Sequence, residues 1–402
     1  MLRLVSLGGL FFMMGIAWLL SSNRKRIQPR IILVGLGLQF LFALLILKTD
    51  PGRAVFERVE VYAGNLLSFS RAGSEFVFGV LASPDSALKP GVIFAFQVLP
   101  TIIFFSALMA VLYHLRIMQK IIRGMAFVMQ KTMRISGAES MAVAANAFIG
   151  QTEAPLVIEP YVSGMTRSEL MTLMTGGMAT IAGSVLVAFV GMGLSAGHLV
   201  AASIMSAPAA VVIAKILCPE TDKPVTLDQK KAEIQVGSSN LIDAAAEGAT
   251  VGLKLALNVG AMLIAFIALI HMLDAFLGVF GLSMQSVLGT LFYPFALVMG
   301  VPMEDCVTFG YLLGTKVSVN EFVAFTELSR IVGDGGLSER GTILATYALC
   351  GFANFSSIAI QVGGIGSIAP DRKKDLAALG LKAMIGGALA SWMTACIAGL
   401  LI

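Results

Sequence analysis

The chain has 402 residues, 57% of them hydrophobic and 13% charged, about half the roughly 25% charge of a soluble domain, so lipid is the solvent it points to. A net charge of +4 is too small to imply nucleic-acid binding. Four scattered cysteines (Cys218, Cys306, Cys350, Cys396) without CxxC spacing, and three isolated histidines (His114, His198, His271), argue against a disulfide framework and a zinc site.

The first apolar run, Leu4 to Leu20, has most of its charge behind it, in Ser21-Ser22-Asn23-Arg24-Lys25-Arg26. No small-residue cleavage site precedes that cluster, so the run reads as a retained transmembrane helix and not a secretory leader. Arg24, Lys25, Arg26 and Arg30 place the following loop in the cytoplasm and the N-terminus outside. A second run, Ile31 to Leu47, crosses back. Residues 50–89 mix charge with Phe56, Val59, Leu66 and Leu67 and read as an interfacial helix plus loop. The third run, Pro90 to His114, returns inward to a basic amphipathic stretch carrying Arg116, Lys120, Arg123, Lys131 and Arg134.

Four later runs are long enough to span: Leu170 to Val190, His198 to Leu217, Ala249 to Ile270 and Leu376 to Leu401. Three other segments are interrupted. Gly137 to Met165 is split by Gly150-Gln151-Thr152-Glu153-Ala154-Pro155, which leaves arms too short to cross, so it is expected to enter and leave on one face as a hairpin. Met303 to Ser338 repeats that pattern around Lys316 and Asn320-Glu321-Phe322. Thr342 to Ile368 is a span broken at Gly351-Phe352-Ala353-Asn354-Phe355-Ser356-Ser357. A hairpin followed by a polar-interrupted span thus occurs once in each half, the order expected of an inverted-repeat transporter with a midplane site. The polar segment Pro219 to Ser239 between the halves reads as a cytoplasmic linker.

The interruptions carry the chemistry. A carboxylate near the bilayer centre costs roughly 2.5–3.5 kcal/mol on insertion scales. Glu153 stands beside Gln151 and Thr152, more hydrogen-bonding groups than a helix cap needs. Glu321 follows Asn320, and the plainer alternative for it is a salt bridge to Lys316 or Arg330. Asn354 and Ser357 lie three apart, on one helical face, with Phe352 as a flat apolar neighbour. Ala179-Thr180-Ile181-Ala182-Gly183-Ser184-Val185 is small and hydroxyl-bearing, equally suited to close packing. Together these groups suit a solute with a flat ring and several hydroxyls. No nucleophile motif or metal-ligand set accompanies the two carboxylates, so an enzyme is not expected.

At these residues the sequence resembles the concentrative nucleoside transporters in their bacterial form, over essentially the whole chain. The motifs are Gly150-Gln151-Thr152-Glu153-Ala154-Pro155-Leu156, Ala179 to Val185, Asn320-Glu321-Phe322-Val323-Ala324, and Cys350 to Ser357. The resemblance implies an all-α polytopic membrane protein with about eight transmembrane helices and two re-entrant hairpins in inverted repeat, assembled as a homotrimer in the bacterial inner membrane, both termini periplasmic. It implies outer scaffold helices at 1–115 and 249–285, transport halves at 116–218 and 286–402, and a linker at 219–248. Gln151, Thr152, Glu153 and Val185 would contact the base of a nucleoside of the uridine, cytidine and adenosine class. Glu321, Asn354 and Ser357 would hold the ribose, and Phe352 would line the pocket. Sodium would sit at Asn146, Ile149, Thr180 and Ile181 as the coupling ion, with no other cofactor. A proton-coupled carrier and an uncoupled nucleoside-binding pore or receptor are the alternatives.

Overall fold

The computed structural model describes residues 1–83, 93–227 and 239–402. The end of the expected outer loop and the middle of the expected linker, with Lys230 and Lys231, lie outside the described residues. Among the described residues the secondary structure is helical throughout.

Two apolar helices open the chain, α1 (Leu2–Leu19) and α2 (Pro29–Lys48), joined by the Arg24–Arg26 turn. Thr49 then caps α3 (Asp50–Phe78) by accepting from the Gly52 N–H at 3.0 Å. A short α4 (Phe94–Gln97) leads into α5 (Leu99–His114), and α6 (Ile117–Met133) is the basic amphipathic helix. The first hairpin comprises α7 (Gly137–Asn146), a polar tip, α8 (Ala154–Val157) and α9 (Glu159–Val162). Pro155 in the first turn of α8 fits there because its missing N–H would have no helical partner. A broken span follows, α10 (Arg167–Ala179) and α11 (Gly183–Gly191), and then α12 (Ala196–Leu217).

The second half begins with α13 (Leu241–Gly278), 38 residues long and so about 57 Å at 1.5 Å per residue. The linker expected at 219–248 therefore ends earlier: Asn240 caps α13 by accepting from the Asp243 N–H. Next comes α14 (Met284–Val298), an apolar helix of 15 residues that the reading by length did not single out. The second hairpin is α15 (Cys306–Ser318) and α16 (Glu321–Gly333). The second broken span is α17 (Glu339–Leu349) and α18 (Phe355–Ile368), and α19 (Lys373–Leu401) closes the chain. Among the described residues, seven helical stretches are long and apolar enough to cross a membrane, and α14 and α18 are shorter apolar helices.

Packing sorts the helices into two groups. α10, α12 and α19 interlock with the first hairpin and with both broken spans, the second hairpin packs on α14 and α17, and α1 and α2 pack on α12 and α19. α5 lies along α13 instead. Gly248 and Gly252 make that contact possible, since a Cβ on either would stand 2.7–2.8 Å from atoms of Ser106, Ala107, Ala110 or Ile103. Small residues four apart let two helix backbones approach closely in a membrane. α1 and α2, expected among the scaffold helices with α5, thus lie with the hairpin-bearing body.

A buried ionic cluster anchors the base of the first hairpin. Lys215 Nζ on α12 stands 2.7 Å from Glu139 Oε1 on α7 and 3.3 Å from Glu220 Oε2, and donates to Ser168 Oγ on α10 at 2.9 Å. Glu169 accepts from Ser136 Oγ and from the Thr166 N–H, closing a capping box at the start of α10. Charges this deep are tolerated only when paired and hydrogen-bonded.

Candidate functional site

The first hairpin's tip folds on one carbonyl: Gly150 O accepts from the N–H groups of Glu153 (3.1 Å) and Ala154 (3.0 Å). That turn leaves Thr152 and Glu153 open to a cavity and turns Gln151 inward, where it is buried. Gln151 Nε2 donates to Ser357 Oγ on α18 at 3.0 Å, and its Oε1 accepts from Gln361 Nε2 at 2.9 Å. Gln361 Nε2 also donates to the Met174 carbonyl on α10 at 3.1 Å. Gly177 on α10 allows this approach. A Cβ there would meet Gln361 Nε2 at 2.6 Å and Gln151 Cβ at 2.9 Å.

The second hairpin's tip is held by Asn320, whose Oδ1 accepts from the Val323 N–H at 2.9 Å and caps α16. Next to it, Glu321 Oε2 accepts from Asn354 Nδ2 at 2.8 Å. Asn354 Oδ1 accepts from the Ser357 N–H (2.9 Å) and Ser356 Oγ (2.7 Å), capping α18. The salt-bridge alternative for Glu321 is not what the side chains do. Arg330 pairs with Glu327 at 2.8 Å and Asp334 at 3.5 Å, and Lys316 turns to Ala348 O and Ser391 Oγ. A chain of hydrogen bonds therefore runs Glu321–Asn354–Ser357–Gln151–Gln361–Met174 and joins both hairpins to both broken spans.

The two breaks cross in contact. Gly351 adopts φ +139°, outside the range side-chain-bearing residues readily take, and a Cβ on it would stand 2.7 Å from Met178 O and 2.8 Å from Ala179 C. All eight residues expected to contact a solute (Gln151, Thr152, Glu153, Val185, Glu321, Phe352, Asn354, Ser357) line one cavity of about 580 Å³. Its far wall is α13, through Lys254 and Asn258 among others. A second cavity of about 310 Å³ meets the first at Glu153 and runs between the first hairpin and α5. Neither Gln361 nor the α13 residues was singled out by sequence. Gln361 had a signal, lying four residues after Ser357 on the same helical face; the α13 residues had none, because only packing turns them toward the hairpins.

The four residues of the expected sodium set lie at the end of the first hairpin's arm and at the first break. Asn146 ends α7, is 1% exposed, and has no hydrogen-bond partner for its Oδ1 or its Nδ2. A buried amide in that condition is rare among proteins. Facing it, Thr180 leaves α10 in extended conformation (φ −122°, ψ 168°), with Oγ1 donating to Gly176 O at 2.8 Å. The Gly183 N–H donates to Phe148 O at 2.9 Å and ties the hairpin, one residue before Ile149, to the break, two residues after Ile181. The Asn146 amide oxygen and the Thr180 hydroxyl are oxygen donors of the kind a hard cation takes.

Comparison with known proteins supplies a context for this geometry. Three family models match in series: Na+ dependent nucleoside transporter N-terminus over residues 8–81, Nucleoside recognition over 95–196, and Na+ dependent nucleoside transporter C-terminus over 198–399. The chain is 44% identical to "Uncharacterized transporter YutK" of Bacillus subtilis, covering 98% of each protein. It is 41% identical to human "Sodium/nucleoside cotransporter 1", covering 99% of this chain and 64% of the human protein. Among solved structures it is similar to CNTnw in an inward-facing substrate-bound state, with TM-score 0.93, 42% identity, and 100% and 98% of the two chains covered. A CNTnw variant in an outward-facing state is matched at TM-score 0.94, again 42% identical over 100% and 98% of the chains.

Proposed function

Because this chain belongs to the Na+-dependent nucleoside transporter family, we propose that it imports nucleosides across the bacterial inner membrane, each driven by sodium flowing down its gradient. The observation that carries the reading is the shared cavity, in which groups from both hairpins and both breaks converge. The first hairpin reads the base through Gln151, Thr152 and Glu153, with Val185 packed beside it. Glu321, Asn354 and Ser357 hold the ribose, and Phe352 lines the pocket. A carboxylate accepts from two vicinal hydroxyls at once, which water-soluble sugars present and apolar solutes do not.

Sodium binds between Asn146, Ile149, Thr180 and Ile181. The partnerless Asn146 amide supports an ion over a proton, since no titratable side chain belongs to that set. Coupling follows from linkage. An ion that pins α7 to the α10–α11 break stiffens the tip that carries Gln151, so each ligand favours the other.

The movement is an elevator: the body holding the hairpins slides against the α5–α13 pair, carrying the site from one side to the other. α1 and α2 travel with that body, as their packing on α12 and α19 suggests. The chain forms a homotrimer through scaffold surfaces, where α3 and α13 expose Val61, Phe69, Leu257 and Ile264. Both termini face the periplasm, in keeping with the basic cytoplasmic loops.

Uptake of labelled uridine and adenosine into proteoliposomes decides the matter. Accumulation under a sodium gradient at constant pH is expected, and Glu321→Gln should lower it by two orders of magnitude or about 3 kcal/mol, the loss for one charged hydrogen bond. Accumulation driven by a pH gradient alone would replace sodium with a proton, and uptake indifferent to both would leave an uncoupled pore.

A further inference from the structure

The two halves match element for element: hairpin arm α7 with α15, half-helix α10 with α17, and following span α12 with α19. In each half the last turn of the arm meets the last turn of the half-helix, so two helix C-terminal ends converge. Each such end carries roughly −0.5 of an elementary charge, which draws a cation. In the first half the place is bordered by the partnerless Asn146 amide, beside Gly176 and Gly177. In the second half it is filled by a side chain. Lys316, in the last turn of α15 and 0% exposed, donates through Nζ to Ala348 O in the last turn of α17 at 2.9 Å and to Ser391 Oγ on α19 at 2.9 Å. The spans contribute a serine in both halves: Ser203 Oγ on α12 donates to Ala147 O at 2.7 Å, beside Asn146.

We propose that Lys316 is a tethered cation holding, in the second half, the place that sodium takes in the first, so that one sodium ion moves with each nucleoside. The inference rests on the sodium-coupled reading above. Lys316 is a positioning residue: it touches neither solute nor ion, but pins α15 to α17 three residues before Gly351 and so fixes Glu321 against Asn354. The ammonium travels with the protein in both directions, so it adds nothing to the charge moved per cycle. The polar lining of the nucleoside cavity needs no second ion, because the second hairpin is locked with or without sodium and only the first awaits it.

The test is a zero-flux measurement on wild-type protein in proteoliposomes with the membrane potential clamped at zero. A tenfold sodium gradient balances about a tenfold uridine gradient if one ion moves and about a hundredfold gradient if two move. The inference expects about tenfold; balance near a hundredfold overturns it. Absence of any sodium-driven gradient would overturn the transport reading itself, and this inference with it. Two variants add an independent check, each first confirmed by size-exclusion chromatography to keep the wild-type assembly. Lys316→Met keeps the bulk and loses the charge, and should lower uridine uptake more than tenfold. Lys316→Asn restores an oxygen like that of Asn146, and its residual uptake and its thermal stability should both depend more steeply on sodium, the Hill coefficient rising from about 1 toward 2. Wild-type sodium dependence in both variants would show that the ammonium fills no ion's place.

Discussion

Gln361 is a side chain that gains meaning only from its neighbours. Its Nε2 is shared between Gln151 Oε1 and Met174 O, so it fixes the Gln151 amide with its nitrogen toward Ser357 and its oxygen toward Gln361. Replacement by Leu, of similar volume, leaves the Gln151 carbonyl oxygen buried and unpaired. The cost is about 1–3 kcal/mol, or about 5- to 150-fold in affinity. We expect Gln361→Leu to raise the KM for uridine within that range while leaving sodium-dependent thermal stabilisation intact, which competition uptake and melting curves read separately. A KM unchanged within error would mean that Gln151 orients itself without help. The residues legible at this scale were those standing beside helix breakers: Gln151, Thr152 and Glu153 before Pro155, Asn354 and Ser357 after Gly351. Polarity inside an apolar chain announces itself where the backbone cannot stay helical. Lys254 sits within a regular helix, where nothing in the local pattern separates a side chain facing a cavity from one facing a neighbour, and Gln361 was marked only by standing one turn after Ser357.

Among elements, hairpins and broken spans were readable because arm length decides whether a segment crosses. α14 escaped that logic, for 15 residues of an apolar run resemble a short arm as much as a span. The start of α13 was misplaced for a related reason: Asp243 and Glu247 look like linker, but the first is taken up by the cap at Asn240 and the helix runs on past both. The ionic cluster under the first hairpin was not legible either, since Glu139, Ser168, Lys215 and Glu220 come from separate stretches of chain. It makes a firm prediction. Lys215→Met strands Glu139 in a buried site and should destabilise the protein by about 3–5 kcal/mol, read as a large fall in the detergent melting temperature. Double replacement, Lys215→Met with Glu139→Leu, should recover much of the loss. If the single variant melts like wild type, the cluster is not what secures the hairpin base.

For the whole molecule, the division into a hairpin-bearing body and an α5–α13 wall is what transport by sliding requires. Asn258 on the wall and Ser356 on the body line the same cavity. Cysteines at both positions, in a background lacking the four native cysteines, joined by a short thiosulfonate cross-linker, should stop uridine uptake, and a reductant should restore it. Continued uptake through the cross-linked protein would rule out relative movement of the two groups. The overall architecture was the most legible level of all, because alternation of apolar runs with basic loops counts the crossings directly. Which helices pack together was not, since α1 and α5 are equally apolar and only side-chain fit assigns one to each group.

The length of α13 has a consequence of its own. A helix of about 57 Å is far longer than a hydrocarbon layer of ~30 Å is thick, and if the hairpins slide along it as proposed, its tilt sets the slope of that path. Lipids of longer acyl chain relieve the mismatch by letting it straighten, and shorter ones tip it further. Turnover should therefore pass through an optimum as chain length is varied in otherwise identical vesicles, whereas nucleoside affinity, set within the hairpin body, should stay level. A flat rate across thicknesses would mean the wall keeps its angle whatever surrounds it. In that sense the membrane is a fitted part of the machine, and α13 is the gauge.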